Sequence, residues 1–228
     1  VKYLGIIVDE KLNFVAHARY LRSKIAQYIA SIRRVATQKW GMKSHTVKVL
    51  YGAVALPIVR YGSTLWFEGA KNIMVRRSLI ALQRELLLLT TRACRTTSTV
   101  AMQVIAGAKP MDLEVVEDAL IKRVRRNLST VWGTYSFREK QMEIFDEIVH
   151  LEIEKIKEFT TQKWKSAWQA EEHGRHSYEF LQETTFANSN KRWFRLNRFA
   201  VYLITGYGPI NSTLYKRKLA ESNICPVC

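Results

Sequence analysis

The sequence contains little cysteine and no long apolar run. Three cysteines in 228 residues do not form the framework of pairs that stabilises small secreted domains, so we expect a reducing compartment. The longest purely apolar run, Leu86–Leu89, is far too short to cross a bilayer. No signal peptide is visible, and the chain begins at Val1 rather than at methionine. We therefore expect a protein without a membrane partner, cut from a longer one.

The usual signatures of phosphoryl-transfer chemistry are also missing. The ten glycines are scattered, and none opens a phosphate-binding loop that ends in Lys-Ser or Lys-Thr. Two-metal catalysis needs carboxylates that converge on the ions. Adjacent acidic residues occur only as Asp9-Glu10 and, on charged helical stretches where solvated faces are expected, as Glu117-Asp118, Asp146-Glu147 and Glu171-Glu172. We therefore expect no catalytic residue in this chain.

Nucleophiles and metal ligands outside the acidic pairs are equally sparse. Cys94 ends a leucine-rich stretch, which favours a small buried hydrophobe over a nucleophile. The histidines at 17, 45 and 150 have no partner at a suggestive spacing.

Positive charge dominates what is present. The chain carries 36 Lys and Arg against 20 Asp and Glu, which gives a net charge of +16 and a pI near 9.9. By segment, the net charge is +7 for residues 1–45, +7 for 46–110, −3 for 111–160 and +5 for 161–228. This distribution indicates two regions that face nucleic acid, separated by a solvated acidic spacer. An ordinary basic surface, or one that touches anionic membranes, is the alternative interpretation.

Hydrophobic periodicity predicts a mainly α fold with strand only near residues 2–8, where the sequence is apolar and β-branched. Two weak boundaries are expected, at about 132–136 and 173–176. The first predicted helix begins at the cap Asn13, the second runs from Thr46 until Pro57 bends or ends it, and the third covers 71–93. A short helix is expected between Ser98 and Gly107, and another over 112–132 with Leu128 and Val131 on its buried stripe. One long charged helix, or two, is expected over 136–170.

The first long helix carries a candidate phosphate-binding flank. Arg19, Arg22 and Arg33 share a side of the helix with Ala26 and Ala30. Small residues between cations would let a nucleic-acid backbone approach closely. The pattern fits a solvated flank equally well.

The last basic helix carries a second candidate. Its cationic stripe ends in an aromatic residue, which suits a phosphate backbone with a base or sugar stacked at one end. The neighbouring Trp193, Leu196, Ala200 and Leu203 are expected on the buried face, and Phe199 in the core. The stripe consists of Lys191, Arg195, Arg198 and Tyr202, and Lys216, Arg217 and Lys218 follow in a short helix.

Cys225 and Cys228 form a Cys-x-x-Cys pair, which is half of a tetrahedral zinc site. The other two ligands could be His173 and His176, or could lie beyond the last residue. Two thiolates alone leave open positions, so we expect no tightly held zinc in this chain and mobile last residues.

Five stretches of the sequence resemble the reverse transcriptase of insect non-LTR retrotransposons. KYLGIIVDEKLNF, YGAVALPIVRYGSTLW and LQRELLLLTTRACRTTSTVAMQVIAGAKPMDLE are similar to the part that follows the palm. YLITGYGPI and CPVC are similar to the C-terminal segment that leads into a Cys-Cys-His-Cys zinc knuckle. The matches are in order and span nearly the whole chain. One departure is Tyr207, where the family usually has histidine.

The resemblance implies a role for each part. Tyr3, Leu4 and Gly5 match the hairpin that holds the primer 3′ end, the primer grip. Residues 1–12 would then be this hairpin, 13–95 the helical thumb, 96–187 a helical linker with the acidic spacer, and 188–228 a basic segment ending in half a zinc knuckle. The remaining zinc ligands would follow Cys228, which makes the internal histidines the weaker alternative. The polymerase aspartates, their Mg²⁺ and the endonuclease would lie upstream.

Two functions follow as expectations. In the first, the chain is the C-terminal, non-catalytic part of a nuclear reverse transcriptase that acts in target-primed reverse transcription. It would bind template–primer duplex and element RNA or target DNA beside its upstream polymerase domain. In the second, it is a helical protein-interaction or host-adopted module with no polymerase role. Salt-dependent binding to duplex separates the two.

Overall fold

The mainly α fold is confirmed by the computed structural model, which describes residues 1–35, 42–184, 197–208, 211–216 and 218–224, without the side chains of 142–147 and 212. The helices are α1 (Val15–Val35), α2 (Ser44–Leu50), α3 (Leu56–Arg60), α4 (Ser63–Trp66), α5 (Ile73–Thr91), α6 (Thr99–Ala106), α7 (Met111–Arg125), α8 (Met142–Ala170), α9 (Arg175–Phe180), α10 (Arg198–Thr205) and α11 (Asn211–Lys216). A π-helical segment, Tyr51–Ala55, joins α2 to α3, and a 3₁₀ helix, Phe67–Lys71, follows α4. Among the described residues, no helix combines the length and apolar character needed to cross a membrane.

The N-terminal stretch is a two-stranded antiparallel hairpin rather than one continuous strand. Strand β1 (Lys2–Tyr3) pairs with β2 (Ile6–Ile7). Leu4 and Gly5 form the turn with φ of 44° and 84°, the left-handed pair that a tight two-residue hairpin requires. Ile6 is buried, so the hairpin is fixed to the core at its second strand.

Helices α1, α5, α6 and α7 pack around the main core. Helix α1 lies against α5, and α5 in turn lies against α6 and α7. One cluster of buried apolar side chains runs from Ile6 in the hairpin through Leu21 and Leu82 to Leu120 and Ile156. The domain boundaries predicted from the resemblance stay a prediction. The core itself is continuous across the boundary expected at residue 95.

Of the two outcomes predicted for Pro57, an end of the helix is wrong. Helical backbone continues through Pro57 to Arg60. The π-helical segment before it shifts the hydrogen-bond register, so that the Leu56 N–H donates to the carbonyl of Tyr51. Because proline has no N–H to place in the ladder, it is tolerated where the register changes.

A second hairpin corrects the prediction that strand occurs only near residues 2–8. Helix α7 ends at Arg125, and β3 (Thr130–Trp132) pairs with β4 (Tyr135–Phe137). The expected helix over 112–132 therefore stops seven residues early, and Leu128 and Val131 are exposed rather than on its buried stripe. Gly133, with φ of 59°, lies in the turn between the two strands. Tyr135 and Phe137 are buried against the main core.

Helix α8 is a single helix, and it is not a solvated spacer. Ile156 is buried in the main core, where α8 packs on α7. Farther along, Trp164 and Trp168 form a second cluster of buried residues with Val201 and Ile204 of α10. The charged sequence did not indicate these contacts, because the apolar residues occupy only one narrow face of the helix.

Candidate nucleic-acid interface

The tip of the N-terminal hairpin presents two large side chains to solvent. Tyr3 is 66% exposed and Leu4 is 71% exposed. Gly5, the third residue predicted for the primer grip, completes the turn. The Lys2 ammonium lies 4.7 Å from the ring centroid of Tyr20 on α1, which places a cation beside the tip. The hairpin therefore offers an apolar tip next to positive charge.

Contacts to α1, to the two residues before it and to Gly62 before α4 hold the hairpin and the loop after it in place. The Ile7 N–H donates to His17 Nδ1 at 3.3 Å. The Asp9 carboxylate accepts from the N–H groups of Asn13 at 3.0 Å and Phe14 at 2.7 Å, and these bonds lower the pKa of Asp9. At Gly62, whose φ of 59° favours glycine, an added Cβ would come within 2.3 Å of Ile6 Cδ1, so a larger residue there would displace the Ile6 side chain.

His17 is a buried, neutral anchor. Its ring is 1% exposed and lies 5.1 Å from the ring of Trp66, centroid to centroid. Burial lowers the pKa of His17 to about 4. Because Nδ1 accepts from the strand, the ring proton resides on Nε2. Spacing along the chain revealed no partner for this histidine, because its hydrogen bond is to a backbone group ten residues away.

A groove of about 390 Å³ opens between the hairpin turn, α1 and α3. Leu4, His17, Tyr20, Lys24 and Tyr61 are among its lining residues. It combines aromatic walls with one cation, which is the chemistry that a nucleotide sugar or base contacts.

On the opposite flank of α1, the structure ties two of the three predicted arginines to one carboxylate. Arg22 Nη2 lies 3.7 Å from Glu85 Oε1, and Arg33 Nη2 lies 3.3 Å from Glu85 Oε2. Both arginine side chains are still about half exposed, so these are weak surface ion pairs. Arg19 is exposed and has no partner among the described residues, and Ala26 and Ala30 are exposed beside it. Sequence reasoning missed Glu85 because it lies on α5.

The second predicted site is only partly described. Lys191, Arg195 and Arg217 lie outside the described residues, as do Trp193 and Leu196 of the expected buried face. The exposed Lys216 ends α11, and Lys218 is exposed shortly after it. The Arg198 guanidinium donates to the Tyr202 hydroxyl. Tyr202 is buried, so a base cannot stack on it in this arrangement.

Two expectations for α10 are wrong. Phe199 is 74% exposed and Leu203 is 67% exposed, whereas both were expected to be buried. Val201 and Ile204 are buried instead. The buried face of this short helix is rotated from the predicted one, because it packs on Trp164 and Trp168 of α8.

The two cysteines of the expected half zinc site, Cys225 and Cys228, lie outside the described residues. The alternative ligand His176 contacts the carbonyl oxygen of Leu203 at 3.1 Å, and His173 is exposed. No group of three or more metal-binding side chains occurs in the part of the chain that the structure describes.

The acidic pair Glu117-Asp118 is not a solvated face, contrary to expectation. Glu117 pairs with Lys109 and accepts from the Thr160 hydroxyl, and both partners are largely buried. Asp118 accepts from Lys122 at 2.6 Å and from Ser63 at 2.6 Å. On the same helix, Glu114 pairs with Arg60 and Asp112 with Arg76. Burial raises the pKa of Asp112 and of Glu114, although their arginine partners oppose this.

The chain is similar to Pol polyproteins of insect retrotransposons. It is 31% identical over 229 residues to the retrovirus-related Pol polyprotein from type-1 retrotransposable element R1 of Bradysia coprophila, covering 99% of this chain and 22% of that protein. It is 32% identical over 228 residues to the corresponding polyprotein of Nasonia vitripennis, and the match covers 99% of this chain and 65% of that protein. It is 29% identical to a putative 115 kDa protein in type-1 retrotransposable element R1DM of Drosophila melanogaster, and the match covers 98% of this chain and 22% of that protein.

No protein-family model matches the chain, and no solved structure matches it significantly. The predicted resemblance to the polyproteins of insect non-LTR retrotransposons is nevertheless confirmed by these relatives. The chain spans between about a fifth and two thirds of their length.

Proposed function

We propose that this chain, a relative of the Pol polyproteins of insect R1 retrotransposons, binds the template–primer duplex of a reverse transcriptase. The hairpin tip would lie at the primer 3′ end, and α1 would follow the duplex backbone. The chain itself would not extend a primer; an upstream polymerase domain of the same polyprotein would supply the catalytic aspartates and Mg²⁺. The setting would be nuclear, during target-primed reverse transcription.

The observation that carries this proposal is the way the hairpin is held. Its base is fixed by His17, Asp9 and the buried Ile6, while Tyr3 and Leu4 at the tip remain exposed. Exposed apolar side chains on a rigid support are typical of a contact surface rather than of a core. The polymerase relatives and the overall charge of +16 make a nucleic-acid end the ligand that we propose.

The basic C-terminal part supports a second contact of the same function. Arg198, Lys216 and Lys218 carry positive charge onto α10, α11 and the turn after them. We propose that this part binds element RNA or target DNA. Zinc would bind Cys225 and Cys228 only when two further ligands complete the set.

A protein-interaction role is the second candidate, and one feature favours it. Phe199, Leu203, Leu219 and Ile224 are all more than 65% exposed in the C-terminal part. Apolar side chains that face solvent together are typical of a surface that binds another protein. This role would leave duplex binding weak or absent.

Removing the arginines of α1 tests the proposed function. The Arg19→Ala/Arg22→Ala/Arg33→Ala variant is expected to weaken duplex binding similarly for all sequences. It should flatten the slope of log Kobs against log[salt] by roughly one unit per lost phosphate contact. Glu85→Gln is expected to strengthen duplex binding, because Arg22 and Arg33 then no longer share their charge with a carboxylate. Fluorescence anisotropy at several salt concentrations measures both effects.

The matched control is Lys155→Ala/Lys157→Ala/Lys165→Ala on α8. It removes the same charge, and two of its lysines are paired with glutamates as Arg22 and Arg33 are. Equal slopes for the two triple variants, with no gain from Glu85→Gln, would show that the α1 arginines form an ordinary solvated flank.

A further inference from the structure

The segment that was predicted to be an acidic spacer contains a strongly basic surface. Residues 111–121 carry four carboxylates and no Lys or Arg, whereas residues 122–140 carry six Lys and Arg against Glu139 alone. The structure explains how the two halves separate. All four carboxylates, Asp112, Glu114, Glu117 and Asp118, are used in ion pairs with Arg76, Arg60, Lys109 and Lys122.

The remaining cations have no carboxylate partner among the described side chains. Arg125 and Arg126 are exposed at the end of α7, and Arg138 and Lys140 are exposed after β4. Two hydrogen bonds bring these positions together: Asn127 Nδ2 donates to the Lys140 carbonyl at 2.7 Å, and the Lys140 N–H donates to Asn127 Oδ1 at 2.9 Å. The cations therefore form one patch at the base of the second hairpin.

This basic patch borders a cleft of about 820 Å³ between α4, the 3₁₀ helix and the hairpin β3–β4. Arg123 and Arg138 are among its lining residues. Its walls also include Leu65 and Val131, which are 65% and 64% exposed. The other lining residues are Phe67 and Phe137, four residues with hydroxyl groups, and two carboxylates, Glu139 and Glu68, of which Glu68 is paired with Lys71. The hydroxyl-bearing residues are Thr64, Ser129, Thr130 and Ser136.

We propose that this cleft binds a single strand of nucleic acid. Unpaired cations contact phosphates, hydroxyl groups contact sugars or base edges, and the exposed apolar side chains contact bases. In a duplex the bases are stacked on one another and their faces are covered, so a duplex cannot use Leu65 and Val131 in the same way. The site is separate from the α1 surface. The inference rests on the proposed function, in that it takes the chain to bind nucleic acid, and adds a second, single-stranded segment.

The test compares a 30-nucleotide oligo(dT) with a blunt DNA duplex of the same length by fluorescence anisotropy. The Arg125→Gln/Arg126→Gln/Arg138→Gln variant is expected to lose about tenfold or more in affinity for the single strand at ~0.1 M salt, with a much smaller loss for the duplex. Leu65→Gln/Val131→Thr should weaken binding of the single strand but not binding of the duplex. The salt dependence of single-strand binding should not change. All five side chains are exposed, so folding is preserved.

The outcomes separate the two proposals. If the triple glutamine variant leaves single-strand affinity unchanged while the α1 arginine variant still loses duplex affinity, the cleft assignment falls and the proposed function stands. An equal loss of affinity for the single strand and for the duplex would show that the cations act through a general electrostatic field rather than in the cleft. This result would also overturn the assignment. Polyglutamate that binds as tightly as oligo(dT) would assign the patch to an acidic protein instead. If the unaltered chain binds neither nucleic acid, both proposals fail.

Discussion

Replacing Gln83 with leucine is expected to lower the free energy of unfolding by about 3–5 kcal/mol, although the two side chains are similar in size. Gln83 is fully buried on α5. Its amide nitrogen donates to the Tyr51 hydroxyl at 3.0 Å and to the Lys109 carbonyl at 2.7 Å. Its amide oxygen accepts from Gln103 Nε2 at 2.7 Å and from the Met111 N–H at 3.1 Å. Leucine leaves these buried groups without the amide, and each buried polar group without a partner costs about 1–3 kcal/mol.

Urea denaturation measures the effect of Gln83→Leu, with Arg77→Ala as the control on the exposed side of the same helix. The control is expected to change stability by less than about 0.5 kcal/mol. Because Gln83 joins the expected thumb to the start of the expected linker, we also expect one cooperative transition for the main core. A loss below about 1 kcal/mol would show that the network is not the connection between α5, α6 and α7.

The second large effect is a loss of stability in mild acid, caused by His17. Its folded pKa is about 4, while an unfolded histidine has a pKa near 6.5. Above pH 6.5 neither state binds the proton, so His17 makes no pH-dependent contribution. Between pH 6.5 and 4 the unfolded state binds the proton and the folded state does not, so the free energy of unfolding decreases as the pH is lowered. The difference between the two pKa values corresponds to about 3 kcal/mol.

The variant that isolates this effect is His17→Asn, whose amide oxygen can still accept from the Ile7 N–H. The free energy of unfolding of this variant should not show the decrease that His17 causes between pH 6.5 and 4. Subtracting the two curves removes the contributions of Asp112 and Glu114, which titrate in both proteins. Parallel curves for the unaltered chain and the variant would mean that His17 is not held neutral and that it does not anchor the hairpin in the way described.

Local patterns in the sequence were sufficient for most of the helices. Ser98 and Gly107 lie at the ends of α6, where their types are favoured, and Asn72 caps α5 by accepting from the Met74 N–H at 2.8 Å. Asn13 lies two residues before α1 begins and accepts from the Val15 N–H at 3.0 Å. The second hairpin was missed because β3 and β4 are only three residues long, and their pattern continues the helical stripe of α7. The continuation of helical backbone through Pro57 could not be predicted, because the π-helical register shift before it has no sequence signature.

The candidate site was less predictable than the fold. The exposed hairpin tip came from the resemblance, not from residue patterns. Glu85, Asp9 and His17 act through partners that the fold brings close, and spacing along the chain does not reveal such pairs. The acidic residues of α7 illustrate the same limit, because net charge per segment counts carboxylates that internal ion pairs have already used.

A photocrosslink from the hairpin tip tests the central proposal most directly. A photoreactive residue replaces Leu4, which is exposed at the turn, and is irradiated with a recessed-end duplex whose primer strand is labelled. We expect crosslinks within a few nucleotides of the primer 3′ end. The same photoreactive residue in place of the exposed Glu158 on α8 should give little or none. Crosslinks spread evenly along the primer, or equal from both positions, would contradict the assignment of the hairpin to the primer end.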